Sequence, residues 1–313
     1  MRGPHAQTLG GKAFRRAPEL DLRRVRLDTP DGDFIDLDLV PPPSPDAPVV
    51  LVLHGLEGSS RRRYVLEALL HLREEGMQGV GMNFRGCSGE PNRTARAYHS
   101  GETEDLSLAL DWIGETFPGR PVGALGFSLG GNVLLKHLGE RGEDSPVSAA
   151  CAISVPFDLS RGATQLEQGP MGRLYSLYFL RSLRRKMRAK EALLRGRIDL
   201  ERGLAAPTIR LFDEHVTAPL HGFQGAEDYY ARSSSRGFLE RARRPTLLIH
   251  SLDDPFLPRE VSESVLTVRN RFLRTAFSEL GGHVGFIGRP GGAGPRYHAE
   301  HHAAVFLARH LKP

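Results

Sequence analysis

The sequence is poor in cysteine and tryptophan, and it has no long run of apolar residues. Only Cys87 and Cys151 occur among its 313 residues, so neither a disulfide framework nor a paired-cysteine metal site is expected. No stretch approaches the ~18 consecutive apolar residues of a membrane-spanning helix. Residues 1–8, MRGPHAQT, lack the apolar segment of a secretory leader. These absences lead us to expect a cytoplasmic protein.

Charge of one sign does not dominate the chain. The net charge is +5, and most of the excess lies in one stretch. That stretch follows the apolar segment 174–180 and contains Arg181, Arg184, Arg185, Lys186, Arg188 and Lys190. No basic face interleaved with aromatic residues is present, so nucleic acid is not an expected partner. An apolar segment joined to a cationic helix can rest transiently on an anionic membrane surface, or it can pack its apolar side on the core. Both alternatives stay open.

The apolar periodicity predicts an α/β fold. Residues 49–53 are a continuous apolar run, typical of a strand that is buried on both faces. From this strand onward, strands and helices alternate along the chain. This alternation indicates a mostly parallel central sheet with helices on both faces. The predicted strands are 49–53, 79–84, 121–125, 147–155, 245–250 and 272–279, and the predicted helices are 61–75, 102–117, 132–140, 258–270 and about 295–311. A hairpin over residues 23–39, with one face in water, is expected before them.

Residues 158–240 interrupt the alternation with polar, glycine-rich and helical pieces. Because this segment is inserted between two strands, we expect it to cover the carboxyl ends of the strands, where such sheets place their sites. The predicted organisation is therefore a core of residues 1–157 and 241–313 with an inserted, mainly helical cap of residues 158–240.

A serine between glycines follows one of the predicted strands. Residues 126–131 read GFSLGG and lead into a predicted helix. In a sharp strand-to-helix turn the backbone of the serine is strained and the neighbouring chain approaches its side chain. Gly126 and Gly130 remove the Cβ atoms that would clash, so that the hydroxyl is exposed. The start of the helix adds backbone N–H groups and a positive dipole end. Ser128 is therefore a candidate nucleophile.

A serine hydroxyl needs a base to take its proton and an acid to fix the tautomer of that base. With a serine of this type, the acid and then the histidine follow in loops after later strands. The strand over 245–250 leads to Asp253 and Asp254, and the strand over 272–279 leads to His283 in a glycine-flanked loop. Asp254 begins an Asp-Pro turn and is the preferred acid. Asp253 stays the alternative, with capping or turn stabilisation as its other role.

Acyl transfer also needs hydrogen-bond donors for the developing oxyanion. The residue after the nucleophile and the loop after the first parallel strand supply them in this arrangement. The candidates are the backbone N–H groups of Leu129 and Leu56. His54, which begins that loop, is interpreted as a structural hydrogen-bonding residue.

No cofactor and no metal are expected. The segment 85–89, RGCSG, lacks the Gly-Lys-Ser/Thr ending of a phosphate-binding loop, and it is interpreted as a loop at the edge of the site that Arg85 holds. His298, Glu300, His301 and His302 imitate the spacing of metal ligands. We expect them on a solvated helix face instead.

Short segments over nearly the whole chain form one pattern. They are PHAQT (4–8), HGLEG (54–58), NFRGCSG (83–89), GFSLGGN (126–132), PFDL (156–159), FD (212–213), TAP (217–219), GF (222–223), DYY (228–230), DDPF (253–256) and GHVGF (282–286). With these segments the sequence resembles the YheT-like branch of the α/β-hydrolases. The resemblance implies the α/β-hydrolase fold and a serine hydrolase of carboxylic esters with Ser128, Asp254 and His283 as its triad.

The expected reaction is hydrolysis of an acyl or lipid-like ester through an acyl-enzyme, with a small-molecule ester as partner. Thioester hydrolysis and acyl transfer by the same triad stay as alternatives, as does a ligand-binding homologue without turnover. The cap is expected to line an apolar acyl pocket. The physiological substrate and the oligomeric state are left open.

Overall fold

A twisted sheet is the centre of the molecule. The computed structural model describes residues 3–288 and 297–312. Within those ranges the strands are β1 (Arg23–Asp28), β2 (Phe34–Leu39), β3 (Val49–Leu53), β4 (Gln78–Asn83), β5 (Val122–Phe127), β6 (Ala149–Ile153), β7 (Thr246–Ser251) and β8 (Leu273–Ser278). Their order across the sheet is β1-β2-β4-β3-β5-β6-β7-β8. Strand β2 pairs antiparallel with β1 and β4, and the remaining neighbours are parallel.

Helices cover both faces of this sheet. They include α1 (Pro4–Phe14), α2 (Arg63–Glu74), α3 (Glu104–Thr116) and α4 (Leu129–Arg141). Between β6 and β7 follow α5 (Leu159–Glu167), α6 (Gly169–Ala189), α7 (Glu191–Leu194), α8 (Leu200–Ala205), α9 (Ile209–Phe212), a π-helical turn (Asp213–Thr217), α10 (Ala218–Leu220) and α11 (Ala226–Ser233). The last two are α12 (Arg259–Leu266) and α13 (His298–Leu311).

Strand β3 shows how the sheet divides the core. Its side chains alternate between the two faces, because successive residues of a strand point to opposite sides. Leu51 and Leu53 pack in a cluster with residues of α3, α4 and α12. Val50 and Val52 pack in a second cluster with residues of α2 and α13. All five residues of β3 are buried, as its unbroken apolar run predicts. The predicted α/β fold is confirmed.

The hairpin at the start of the sheet differs from its prediction in one respect. Strands β1 and β2 form, but β2 has no face in water, since all six of its residues are buried. Strand β2 lies inside the sheet, and Asp36 and Asp38 are ion-paired with Arg26 and Arg24, each at 2.8 Å. Polar residues on alternate positions therefore indicate paired carboxylates here and not a solvated surface.

Helices α5–α11 lie between β6 and β7 in the chain and contain two small apolar clusters of their own. Their division from the core as a cap of residues 158–240 stays a prediction. None of the helices in the described part of the chain combines the length and the apolar character that crossing a bilayer requires.

Candidate active site

Ser128 lies at the turn from β5 to α4. Its backbone has φ 51° and ψ −118°, a strained conformation for a residue with a side chain. The Ser128 N–H donates to the carbonyl of Ile153 at 2.8 Å, which ties the turn to β6. A Cβ atom at Gly126 would lie 2.6 Å from the Gly130 carbonyl oxygen, and one at Gly130 would lie 2.6 Å from the carbonyl of His54. The turn therefore requires glycine on both sides of Ser128.

The structure brings Ser128, His283 and Asp254 together. The Oγ of Ser128 lies 2.9 Å from Nε2 of His283, and Nδ1 of His283 lies 2.8 Å from Oδ2 of Asp254. These residues are up to 155 positions apart in the chain. A carboxylate on Nδ1 fixes a proton there and leaves Nε2 free to accept the serine proton. The arrangement can thus activate a hydroxyl for attack on a carbonyl carbon.

The two neighbouring aspartates have different partners. The other oxygen of Asp254, Oδ1, accepts a hydrogen bond from the N–H of Phe256 at 2.8 Å. Oδ1 of Asp253 accepts from the N–H groups of Gly281 and Gly282, at 2.9 and 2.8 Å, and so supports the loop that precedes His283. Burial alone would raise the pKa of Asp254, but the charge and hydrogen bond of His283 outweigh it, and the pKa lies below its ordinary value.

Helix α1 holds the loop of His283. The sequence of α1 has no periodic apolar face that would predict a helix. The Thr8 hydroxyl accepts a hydrogen bond from the N–H of His283 at 2.9 Å and donates to the Pro4 carbonyl at 2.8 Å. The amide oxygen of Gln7 accepts from the N–H of Ile287 at 2.9 Å. The Pro at the start of α1 is a local signal for a helix N-terminus. Its contact with a loop 275 residues away has no local signal.

An aromatic ring covers the imidazole. The ring of Phe256 stacks on His283 with centroids 4.2 Å apart and an interplanar angle of 25°. Phe256 belongs to the same turn as Asp254, so one short segment supplies both the carboxylate and the ring that contact the imidazole of His283. Such contacts restrict the imidazole to one orientation, which proton transfer over a hydrogen bond requires.

The loop after β3 presents one of the candidate oxyanion donors. Leu56 and Leu129 border the same cavity as Ser128 and His283. Neither backbone N–H donates a hydrogen bond to a group in residues 3–288 or 297–312. His54 has both ring nitrogens engaged, since Nδ1 donates to the Gly55 carbonyl at 2.7 Å and Nε2 accepts from the Phe84 N–H at 3.3 Å. Burial lowers the pKa of His54 to about 4, so it stays neutral.

Glu57 anchors that loop to helix α6. Its backbone has φ 54°, and its N–H donates to the hydroxyl of Tyr98 at 2.8 Å. The same hydroxyl donates to Oε1 of Glu57 at 2.6 Å, and Nζ of Lys186 donates to that oxygen at 2.8 Å. The side chain of Glu57 is 2% exposed, so its charge depends on Lys186 for compensation. The residue next to Leu56 is therefore fixed by a charge from the segment between β6 and β7.

A mostly apolar cavity of about 120 Å³ opens beside Ser128. Leu159, Leu166 and Phe179 are among the residues of α5 and α6 that line it. Asp213, in the π-helical turn, is an acid in this lining. Its two oxygens accept hydrogen bonds from Thr217 at 2.6 Å and from Tyr230 at 2.7 Å. Burial raises the pKa of Asp213 to about 6 in spite of these bonds.

Asp213→Asn tests how much the buried carboxylate lowers the free energy of unfolding. In the unfolded chain an aspartate releases its proton near pH 4, whereas folded Asp213 keeps it to about pH 6. Between these values the unfolded state binds fewer protons, so stability falls as the pH rises. The free energy of unfolding of the variant minus that of the native protein should rise by about 2 kcal/mol from pH 4 to pH 8. Urea unfolding at both pH values measures it, and an equal difference at the two would contradict it.

The remaining charged candidates have structural partners. Nε and Nη2 of Arg85 bind the carboxylate of Asp105 at 2.8 and 2.7 Å, and Nη1 lies 2.6 Å from Asp31. On α13, Glu300 is buried and forms an ion pair with Arg15, which corrects its expected place on a solvated face. The histidine rings of that helix contact one another, His298 with His302 and His301 with His302.

Known proteins resemble the chain in sequence and in fold. The family model described as alpha/beta hydrolase fold matches residues 48–288. The chain is 41% identical to "Putative esterase YheT" of Escherichia coli (strain K12), over 91% of this chain and 84% of that protein. It is 31% identical to Phospholipase ABHD3 of Mus musculus, over 90% of this chain and 70% of that protein. A solved structure of the Pyrococcus furiosus esterase Pf2001 matches with a TM-score of 0.60 and 15% identity, over 95% of this chain and 98% of that one, a likeness of fold alone.

Proposed function

The chain belongs to the alpha/beta hydrolase fold family, as its sequence motifs predict, and we propose that it hydrolyses carboxylic esters through an acyl-enzyme formed on Ser128. The observation that carries the proposal is the continuous hydrogen-bond chain from Ser128 through His283 to Asp254. The relatives named as an esterase and a phospholipase support an acyl ester as the substrate class.

The first half of the reaction forms the acyl-enzyme. Oγ of Ser128 attacks the carbonyl carbon of the ester while its proton passes to Nε2 of His283. Asp254 stabilises the imidazolium that results. The negative oxygen of the tetrahedral intermediate accepts hydrogen bonds from the N–H groups of Leu56 and Leu129, each worth ~3 kcal/mol in the transition state. The alcohol leaves with the proton from His283.

The second half releases the acid. Water gives a proton to Nε2 of His283 and attacks the acyl carbon, and the second tetrahedral intermediate uses the same two N–H groups. Ser128 recovers its proton as the carboxylic acid departs. Every charge that develops in this sequence lies on an oxygen next to Leu56 and Leu129 or on the imidazole, so no further charged group is required.

The apolar lining of the 120 Å³ cavity predicts a preference among acyl groups, and a series of p-nitrophenyl esters from acetyl to decanoyl tests the proposed function. The native protein should hydrolyse these esters. Each buried methylene contributes about 0.8 kcal/mol, so butyryl should exceed acetyl in kcat/KM by about 10-fold. Leu166→Ala, which enlarges the cavity, should move the highest kcat/KM to longer acyl chains. Leu280→Ala, outside the cavity, should not.

Equal kcat/KM for acetyl, butyryl and decanoyl esters would contradict the apolar acyl site while leaving the ester hydrolase intact. The absence of turnover with the whole series would contradict the proposed function itself.

We also propose that helix α6 contacts anionic membrane surfaces. The helix buries Tyr175, Ser176 and Leu180, yet its opposite face exposes Leu174, Leu177 and Tyr178, which are 53%, 55% and 46% accessible. Arg181 continues this face one turn later. Helix α1 lies beside it, since Nζ of Lys12 is 3.7 Å from the ring centroid of Tyr178. Apolar side chains next to cationic ones are typical of surfaces that rest on anionic lipid.

Co-sedimentation with vesicles tests this contact. The native protein should bind vesicles of phosphatidylcholine with phosphatidylglycerol more tightly than vesicles of phosphatidylcholine alone. Leu174→Ser with Leu177→Ser should reduce the bound fraction at least about 5-fold, because two apolar side chains are lost from the lipid. Leu280→Ser, an equally exposed leucine elsewhere, serves as the control. Equal binding of the double variant and the native protein would overturn the proposal.

A further inference from the structure

A second cavity lies beside the one that contains Ser128. Its volume is about 460 Å³, and it is enclosed by the loops after β3 and β4 and by α6. Tyr98, Leu183, Phe212 and Thr217 line both cavities, so the two are separated by single side chains. The second cavity is therefore close enough to receive the other end of a molecule whose ester lies at Ser128 and whose acyl chain lies in the first cavity.

The lining of this second cavity carries positive charge without a carboxylate partner. Its two acids are already occupied, because Glu57 pairs with Lys186 and Glu90 pairs with Arg26. Its Arg85 is likewise paired with Asp105. Three lining cations remain. In residues 3–288 and 297–312, no carboxylate oxygen lies within 4.0 Å of Arg62, Arg185 or Lys190. The cavity therefore holds an excess of positive charge.

Lys190 is the buried member of this set. It is 4% exposed, and its Nζ is held by three neutral acceptors: Asn92 Oδ1 at 3.0 Å and the carbonyls of Ala95 and Arg96 at 3.1 and 2.8 Å. Burial lowers the pKa of Lys190 to about 8. Asn92 also links Lys190 to the carboxylate of Asp33, because Nδ2 of Asn92 donates to Asp33. A buried cation of this kind is stabilised when an anion enters the space beside it.

Arg62 and Arg185 also line this cavity, and both are exposed. Nη2 of Arg62 donates to the carbonyl of Glu57 at 2.8 Å, and Nη2 of Arg185 is 3.3 Å from the hydroxyl of Ser182. Each guanidinium has five N–H donors in a planar fork that fits the oxygens of phosphate. The buried lysine thus supplies fixed charge, and the two arginines supply donors that can turn towards a bound anion.

We propose that this second cavity binds a phosphate group on the alcohol side of the ester substrate. The inference rests on the proposed function, because the ester has to be placed at Ser128 for the phosphate to reach the cavity. Apolar walls take the acyl chain in the first cavity, and the uncompensated cations take the anionic end of the alcohol in the second. Arg62, Arg185 and Lys190 then determine which ester is preferred and do not take part in bond breaking.

The selectivity between two matched esters tests the proposal. 1-Butyrylglycerol 3-phosphate and 1-butyrylglycerol differ only in the phosphate. For the native protein, kcat/KM for the phosphate ester should be at least about 10-fold higher, because the cations of the cavity can form charge-assisted hydrogen bonds with the phosphate. In Arg62→Gln with Arg185→Gln the ratio should fall to about 2 or less. Arg188→Gln, which removes a cation from α6 outside the cavity, should keep the native ratio. Because the ratio of two kcat/KM values is compared, a general loss of activity in a variant cancels.

Binding of inorganic phosphate, measured by calorimetry, gives a second readout that needs no turnover. The native protein and Arg188→Gln should bind it, and the double variant should bind it at least about 10-fold more weakly. A short-chain phosphatidic acid, presented as monomers and as micelles, separates the two sources of the group. Preference for the monomer and the soluble ester assigns the cavity to a water-soluble phosphate, and preference for the micelle alone assigns it to a lipid head group.

The outcomes keep this inference apart from the proposed function. Hydrolysis of butyrylglycerol with a ratio near 1, and no phosphate binding, would overturn the phosphate cavity and leave the ester hydrolase standing. Phosphate binding that depends on Arg62 and Arg185, without hydrolysis of any ester, would support the cavity and overturn the hydrolase.

Discussion

Replacing Ser128 with alanine is expected to lower kcat/KM for p-nitrophenyl butyrate by at least about 10⁴-fold, because the acyl-enzyme can no longer form. The residual rate would come from the oxyanion donors and from substrate binding alone. The hydroxyl contacts His283, and the strained backbone of the turn is retained in alanine. The change in thermal midpoint should therefore be small, so that the loss of activity does not reflect unfolding. Initial rates and a thermal scan of the same preparation measure both.

Ser100→Ala is the matched control. Ser100 lines the same cavity, but its side chain is not hydrogen-bonded to His283. Its kcat/KM should stay within about 3-fold of the native value, since small changes away from the reacting atoms cost little. Similar losses in the two variants would mean that Ser128 contributes to the shape of the cavity and not to bond making.

Asp254→Asn is expected to lower kcat about 10³- to 10⁴-fold with little change in KM. An asparagine can donate from its NH₂ group to Nδ1 of His283, which favours the tautomer with the proton on Nε2. That tautomer cannot accept the proton of Ser128. The measurement is the kcat and KM of the purified variant with p-nitrophenyl butyrate.

Asp253→Asn distinguishes the two neighbouring acids. Oδ1 of Asp253 accepts two backbone hydrogen bonds from the loop before His283, and the carbonyl oxygen of asparagine can accept them as well. We expect a fall in kcat below about 10-fold for this variant. A larger loss for Asp253→Asn than for Asp254→Asn would reverse the assignment of the acid.

The sequence was most informative where local chemistry and chain order agree. The turn at Ser128 needs glycine at positions 126 and 130, because a Cβ atom at either position would lie 2.6 Å from a neighbouring carbonyl oxygen. Asp254 and His283 could be chosen from many acids and histidines because each follows a late strand in the required order. The catalytic role of these residues stays a prediction until it is measured.

Other parts of the site depend on contacts that a single sequence does not reveal. Helix α1 has no periodic apolar face, and its purpose emerges only from the hydrogen bond between Thr8 and His283. The buried acid Asp213 has the same local sequence signal as an exposed one, and its hydrogen bonds with Thr217 and Tyr230 become visible only in the folded chain. The aspartates of β2 are buried because β1 supplies arginines directly opposite them. In each case tertiary packing determined the outcome.

Labelling with a fluorophosphonate probe, followed by mass spectrometry of the digested protein, shows whether Ser128 is the nucleophile. We expect one adduct, on the peptide that contains Ser128, formed by the native protein and by Asp253→Asn and absent from Ser128→Ala. Asp254→Asn should be labelled far more slowly than the native protein, because the base is held in the wrong tautomer. An adduct on another residue, or equal labelling of Ser128→Ala and the native protein, would contradict the assignment of Ser128 as the nucleophile.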